Sequence, residues 1–404
     1  MAAFQILVGL IITLIYAGIA VGRYPFLRMN RATIALAGAA LLVLIGAINE
    51  DEAINALDMG TILLLGAMMV VNVNLRMAGF FRFVGSRTLR LARSPKILLA
   101  TVVIAAGVLS AIFLNDPVCL MLTPLVVDLT KRLERDPIPY LVGLATAANV
   151  GSVATITGNP QNLIIGQASG IPYITFLAYL APVALIGLGI CWGIIVLVYP
   201  AEFRGQLPQV KLPPPRPYTP LLSRTMLVTL GLMFAFLGGA PIVTSACIAA
   251  ALLLISRLRP RKLLALDWDL LAFFAGLFVV TGALETSGLS TLLFDAVRPT
   301  LQSGIGMFSV IVAILSNLVS NVPAVLLLRP EISNFPDPQT TWLTLAMAST
   351  LAGNFTLLGS AATLIVAEVA AVSGVKLTFG AYLKAGIPIT VLTLLVGILW
   401  LSVI

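Results

Sequence analysis

The stretch Asn149–Gly166, NVGSVATITGNPQNLIIG, limits what this chain can fold into: an apolar run whose middle is Gly-Asn-Pro-Gln-Asn. Pro160 has no amide proton and Gly158 is a poor helix former, so one continuous helix does not pass through. The surroundings make that break consequential. Apolar runs long enough to span a bilayer recur from end to end, in 404 residues that are 59% hydrophobic and only 10% charged. In lipid, a broken backbone is tolerated only where protein or a water-filled cavity satisfies the freed groups. The stretch therefore reads as a discontinuous membrane helix with a binding site at its break.

Charge placement gives the topology. A net charge of +8 would suit a nucleic-acid binder, but the basic residues gather in short loops between apolar runs. That is the positive-inside pattern, and no nucleic-acid partner is expected. One loop holds Arg23, Arg28 and Arg31; another holds Arg257, Arg259, Arg261 and Lys262. The segment from Arg76 to Lys96, with Arg82, Arg87, Arg90 and Arg93 among phenylalanines and leucines, reads as an amphipathic helix along the cytoplasmic face. With both termini outside the cytoplasm, 22 of the 24 basic residues fall on the cytoplasmic side, and only Arg298 and Arg329 lie outside. The expected fold class is an all-α polytopic protein of the cell (inner) membrane, with the lipid bilayer as partner. It has ten crossings and no cleavable signal.

The chain also repeats itself. NDPVCLMLTP (Asn115–Pro124) and NVPAVLLLRP (Asn321–Pro330) share Asn-x-Pro and a second Pro seven residues later. TITGNPQNLII (Thr155–Ile165) and TLLGSAATLIV (Thr356–Val366) share Thr-x-x-Gly, four residues, then Leu-Ile. The offsets are 206 and 201 residues, nearly one register. The first repeat is expected over 1–200, with a re-entrant hairpin at about 97–130 and a broken helix at about 140–168. A proline-rich cytoplasmic linker at 201–224 follows. The second repeat, 225–404, has its hairpin at about 303–330 and its broken helix at about 342–370. Five crossings per half make the second copy inverted, the design of secondary transporters whose site lies where the repeats meet.

Each break starts a new half-helix with unpaired amides. Asn159-Pro160 reads as N-cap plus Pro at the first helical position, Ser360 as its counterpart, and Asp116-Pro117 as a third such pair. Capping alone would account for these polar residues, but Asp116 asks for more. Its hairpin counterpart is Val322, so the fold accepts an apolar side chain there. A carboxylate near mid-membrane costs about 2.5–3.5 kcal/mol, against about 1 kcal/mol gained by a cap. Asp116, with Asn317, is therefore assigned to the coupling ion, a proton or sodium. The substrate set is Asn115, Thr155, Gly158, Asn159, Gln161 and Asn162 from one repeat, and Ser320, Asn321, Thr356, Gly359, Ser360 and Thr363 from the other. No Lys or Arg is expected at that depth. A neutral donor–acceptor lining suits a small polyhydroxylated solute or an anion held by backbone amides. Cys119 is read as packing before metalloid ligand. Glu285 and Glu368 are placed near span ends, with Glu368 a minor candidate for a second coupling site.

No histidine occurs, and three cysteines without metal-type spacing are expected as free thiols. No metal, no cofactor and no enzymatic activity are expected.

FLNDPVCLMLTP, TITGNPQNLIIGQASGI and NFTLLGSAATLIVAE together resemble the ion-transporter superfamily. That group contains ArsB arsenite/antimonite permeases, NhaD sodium/proton antiporters, citrate transporters and sodium/dicarboxylate symporters. Asn115-Asp116 followed by Leu122-Thr123-Pro124 looks most like ArsB. The dicarboxylate symporters carry Ser-Asn-Thr at both tips; here the tips read Leu114-Asn115-Asp116 and Ser320-Asn321-Val322. The resemblance implies an elevator mechanism, and the dicarboxylate relatives imply a homodimer. The leading expectation is proton-coupled efflux of trivalent arsenic or antimony. The rivals are a sodium- or proton-coupled permease for an inorganic or carboxylate anion, and an anion channel.

Overall fold

A computed structural model describes residues 2–21, 29–89, 93–208, 219–255 and 266–404. Among them every long element is a helix. The first half holds α1 (Ala2–Val21), α2 (Arg31–Leu44), a short α3 (Glu50–Ala56), α4 (Met59–Ala78), α5 (Phe80–Leu89), α6 (Pro95–Ile112), α7 (Asn115–Arg132), α8 (Pro137–Ser152), α9 (Pro160–Ser169) and α10 (Tyr173–Val198). The second holds α11 (Thr219–Leu237), α12 (Ile242–Leu254), α13 (Trp268–Thr286), α14 (Leu289–Leu301), α15 (Ile305–Val319), α16 (Asn321–Leu328), α17 (Pro338–Ala352), α18 (Ala361–Val372) and α19 (Phe379–Val403). Seven of the described helices (α1, α4, α6, α10, α11, α13 and α19) are long and apolar enough to cross a membrane. Large apolar side chains such as Leu185, Leu227 and Phe234 point outward on them, as a lipid-facing surface requires.

The chain starts its helices by one local device. Ser94, Asp136, Asn159 and Asp337 each cap a helix whose first residues include proline. The side-chain oxygen takes up a free amide, and the proline sits where no amide is needed.

The two halves are inverted copies. Asp58 caps α4 and Asp267 caps the equivalent α13, yet the two helices start at opposite ends of the molecule. Asn30, before α2, donates to Asp269 at the start of α13 (3.0 Å), and Thr286 at the far end of α13 donates to the Ala47 carbonyl beyond α2 (3.0 Å). α13 thus runs parallel to α2, while α4 begins where α2 has ended. Packing follows the same two-fold rule: α2 lies on α13 as α12 lies on α4, and α6 on α8 as α15 on α17. The post-break helix of each half lies on the hairpin arm of the other, α18 against α7 and α9 against α16.

These contacts sort the helices into two groups. α1, α2, α4, α11, α12 and α13 pack on one another; the hairpins, broken helices, α10 and α19 form the second group. The groups meet along a seam that includes α4–α9, α13–α16 and α1–α15. Among the described residues one ion pair crosses it, Arg329 Nη1 of the second hairpin to Asp58 Oδ2 at 3.1 Å.

Several local expectations need correction. The helix after the first tip begins at Asn115, with Leu114 in the capping position and no side-chain cap, so Asp116-Pro117 is not a cap pair. Asp116 lies in the first turn instead, where its charge complements the helix dipole. α11 already includes Thr219 and Pro220, ahead of the linker's expected end at 224. The acidic loop after α2 contains α3, closed by an Asn49–Glu52 capping box. The segment after α13 is an amphipathic helix, α14, tied by Arg298 to Glu331 at 2.9 Å. Arg23, Arg28, Arg90, the four basic residues at 257–262 and the triple proline at 213–215 lie outside the described residues.

Candidate functional site

Both hairpin tips and both breaks converge on one cavity of about 680 Å3. The hairpins and broken helices contribute Asn115, Asp116, Pro160, Gln161, Ser320, Asn321, Val322 and Ser360, with Leu364 and Glu368 of α18. The opposite wall is Arg31 of α2 with Asp267, Asp269, Leu270 and Phe273 at the start of α13. The cavity therefore straddles the seam between the two helix groups.

The polypeptide reaches it by two related breaks. In the first, α8 ends at Ser152, one short 3-10 turn spans Ile156–Gly158, and α9 restarts at Pro160 under the Asn159 cap, whose Oδ1 accepts from Asn162 N at 2.8 Å. In the second, Ser360 Oγ accepts from Thr363 N at 3.2 Å and starts α18. Each loop curls back over the end of the preceding helix. A Cβ on Gly158 would lie 2.2 Å from the Ser152 carbonyl oxygen, and one on Gly359 would lie 2.8 Å from that of Gly353.

The breaks are also tied to each other across the pseudo-two-fold. Asn159 Nδ2 donates to Thr350 Oγ1 (3.2 Å) and Asn149 Nδ2 donates to Ser360 Oγ (2.9 Å). The offset of 201 residues carries 149 onto 350 and 159 onto 360, so these are one contact seen twice. Asn149 also donates to Asn354 Oδ1 (2.9 Å) and accepts from Asn115 Nδ2 (3.0 Å).

Of the residues expected to bind substrate, Asn115, Gln161, Ser320, Asn321 and Ser360 line the cavity, as does Asp116. The others hold the frame. Asn162 donates to the Ser152 and Thr155 carbonyls, and Thr363 to those of Leu357 and Ser360. Asn317 donates to the Ala313 and Ala352 carbonyls. Asn159 is spent on its cap and on Ser152 and Thr350. Gly158, Thr356 and Gly359 shape the loops and do not appear in the cavity wall. Thr155 faces the opposite way: it donates to the Ala111 carbonyl and borders a separate apolar pocket between α6, α10 and α11. A loop closed by backbone carbonyls uses its nearest hydroxyls and amides internally, which spacing alone does not reveal.

The expectation that no Lys or Arg sits at site depth was wrong. Arg31 lines the cavity on the wall it shares with Asp267, and both lie close enough to Asp116 to feel its charge. Arg31 looked like the last member of a basic loop, but it is the first residue of α2. Asn149, Thr350 and Asn354 were missed altogether. The repeat offset links the first two, placing Asn149 over Thr350; Asn354 falls over Val153 and carries no such signal. Cys119 is buried and absent from the cavity wall, consistent with packing. Glu368 does reach the cavity, whereas Glu285 lines a second one of about 450 Å3 with Arg329 and Thr281.

Two features of the wall mark it as more than a structural void. The Oδ1 atoms of Asn115 and Asn321, one on each tip, are buried without a hydrogen-bond partner, and such orphans are rare in a native fold. Ser320 holds φ at 79° and ψ at 158°, a region that normally takes glycine. The corresponding residue of the first tip, Leu114, is relaxed at φ −59°. Ser320→Gly is expected to raise stability by about 1 kcal/mol through relief of that strain, read as a higher Tm of the purified protein. A lower Tm would show that the Ser320 hydroxyl contributes more than the strain costs.

Comparison with known proteins places this geometry among transporters. A family profile described as citrate transporter (CitMHS) matches residues 10–352. The silicon efflux transporter LSI3 of Oryza sativa subsp. japonica is 31% identical, with 93% of each chain covered. A 46 kDa membrane protein of Mycobacterium leprae is 29% identical over 93% of this chain and 94% of that one. The putative transporter arsB of Dictyostelium discoideum is 25% identical over 92% of this chain and 87% of that protein. In fold, the chain is similar to the YdaH transporter of Alcanivorax borkumensis, whose crystal structure is described as having an unusual topology. The TM-score is 0.58 at 16% identity, covering 99% of this chain and 97% of that one.

Proposed function

Because the chain belongs to the citrate transporter (CitMHS) family and is a multi-pass membrane transporter, we propose that it is a proton-coupled secondary transporter exporting a small neutral hydroxylated metalloid. Trivalent arsenic or antimony, as the undissociated hydroxide, is the leading substrate. The observation that carries this reading is the cavity wall itself: the carboxamides of Asn115, Gln161 and Asn321 and the hydroxyls of Ser320 and Ser360, beside the carboxyl of Asp116. A lining of carboxamides and hydroxyls suits a solute that brings hydroxyl groups, and Asp116 supplies a place for the exchanged proton. LSI3, named for silicon efflux, and the arsB-named relative both fit a solute of this chemistry.

In this mechanism the hairpins, broken helices, α10 and α19 move as one body against the other six long helices, in an elevator-type stroke. The supporting features are the cavity on the seam and the cross-links between the breaks. The Asp58–Arg329 pair crosses that seam, so the stroke has to break it. By the charge rule the Arg31 end is cytoplasmic.

A second reading keeps the mechanism and changes the cargo to a carboxylate or inorganic anion, coupled to sodium or protons. Four helix N-termini (α7, α9, α16 and α18) meet at the cavity and Arg31 adds a cation, both of which favour negative charge. The two readings separate in everted membrane vesicles. The first expects arsenite accumulation that depends on an imposed pH gradient and is indifferent to citrate. Accumulation of citrate or sulfate without arsenite uptake would replace it with the second.

A further inference from the structure

The two-fold that relates the repeats is obeyed within each helix group but broken along the seam between them. α4 packs on α9, α13 on α16 and α1 on α15. Exchanging the repeats turns these into α13 on α18, α4 on α7 and α11 on α6, and none of those three is packed to a comparable extent. At the packed end a Cβ on Gly60, just past the Asp58 cap, would lie 2.5 Å from Gln167 Nε2 of α9, and Arg329 pairs with Asp58 beside it. The caps Asp58 and Asp267 set an offset of 209 (267 minus 58) for α4 and α13, which carries Gly60 onto Asp269. The break offset of 201 carries Gln167 onto Glu368. Asp269 and Glu368 are both exposed, on opposite walls of the cavity. What touches at one end of the seam is therefore held apart at the other.

The exchanged contact differs in charge. Gly60 and Gln167 carry none, whereas Asp269 and Glu368 are acids, and Asp116 and Asp267 line the same cavity. Bringing those walls together sets like charges against each other unless a cation lies between. Arg31 is the one basic residue in the lining among the described residues. Its neighbour Asn30 donates to Asp269 Oδ2 at 3.0 Å, so it stands on the Asp269 side. Among the described residues Arg31 enters no ion pair.

We propose that the second conformation of this protein is the same seam with the roles of the repeats exchanged, and that Arg31 is the gate residue that lets it form. Glu368 docks on the start of α13, and the Arg31 guanidinium lies between it and Asp269. The Asp58–Arg329 pair and an Arg31–Glu368 pair then close in alternation, one at each end of the stroke. This inference rests on the elevator reading above.

Paired cysteines in reconstituted vesicles read the two ends without any solute. A Cys247→Ser background serves, because Cys119 and Cys191 are buried. Gly60→Cys with Gln167→Cys is expected to form a disulfide in the resting protein, since the side chain crowding position 60 is the one replaced. Asp58→Asn keeps the Oδ1 that caps Thr61 N and loses the charge paired with Arg329. It should slow that disulfide about fivefold and speed the one between Asp269→Cys and Glu368→Cys about as much. Transport of labelled arsenite reads the charge. Arg31→Gln is expected to lower the rate about tenfold, and adding Glu368→Gln, which copies Gln167, to return it to within about threefold of the wild type. A merely structural role for Arg31 gives no such rescue. Should the 269/368 cysteine pair fail to fold, judged by Tm, the rescue decides alone. A folded pair that forms no disulfide in D58N, or an R31Q defect that E368Q does not relieve, overturns the inference. A 60/167 disulfide that leaves transport unimpaired removes the elevator reading and the gate with it. A wild type that carries no arsenite removes the metalloid reading instead, and the disulfides then decide the gate.

Discussion

Asp116→Asn is expected to abolish gradient-driven accumulation in everted vesicles, bringing it down to the level of vesicles without the protein. Asp116 sits in the first turn of α7, on the cavity wall that faces Arg31 and Asp267. A helix-dipole contact at that position is worth about 0.3–1 kcal/mol, too little to offset the cost of about 2.5–3.5 kcal/mol for a carboxylate at membrane depth. The residue therefore owes its place to something other than stability, and its counterpart Val322 shows what the fold accepts in its absence. Asparagine keeps the volume and the polarity but cannot exchange a proton. Solute–solute exchange, which needs no net proton movement, is expected to survive. Asp267→Asn is the control: it keeps an oxygen to cap Leu270 N, so helix α13 is retained, and coupling should persist. Coupled accumulation by D116N with the pH dependence of the wild type would remove Asp116 from the mechanism.

The second large effect is expected at Gly158. A methyl group there would sit 2.2 Å from the Ser152 carbonyl oxygen and 2.7 Å from its Cα, all of it backbone with no side-chain end free to move away. Overpacking of this kind costs about 1–3 kcal/mol and more where nothing can relax. Gly158→Ala is therefore expected to lose most of the folded protein, seen as aggregation on size exclusion and a large fall in Tm. Gly359→Ala should fall less, because its nearest backbone neighbour is 2.8 Å away. Gly189→Ala, in α10 with nothing within 4 Å of the added carbon, should be neutral. The order matters more than the sizes. If G359A proves more damaging than G158A, the account of the first break as the tighter loop is wrong.

Much of the fold could be read from residue order because its determinants act locally. Proline at 160 and glycines at 158 and 359 forbid helix where they stand, whatever surrounds them. Asn159 and Ser360 could be named as caps for the same reason: a cap needs only the amides two or three residues ahead. Charge sorting and the repeated motifs then gave two inverted halves. The site was less legible. Thr155 and Thr363 carry the same hydroxyl as any substrate ligand, and nothing in their spacing says that a backbone carbonyl has already claimed it. Arg31 was assigned to a loop because charge near an apolar run normally lies beyond its end, yet α2 begins with it.

What the chain determines by itself is where helices must stop, which ends carry positive charge, and that its halves are copies. Each of these follows from the conformational limits or solvation of a single residue or its near neighbours. Which amides face the cavity, and which are spent inside the frame, was decided only by the assembled fold. The partners that settle it, Asn149 with Ser360 and Asn159 with Thr350, are about 200 residues apart in the chain. A carboxamide has no preferred direction until its neighbours have chosen theirs.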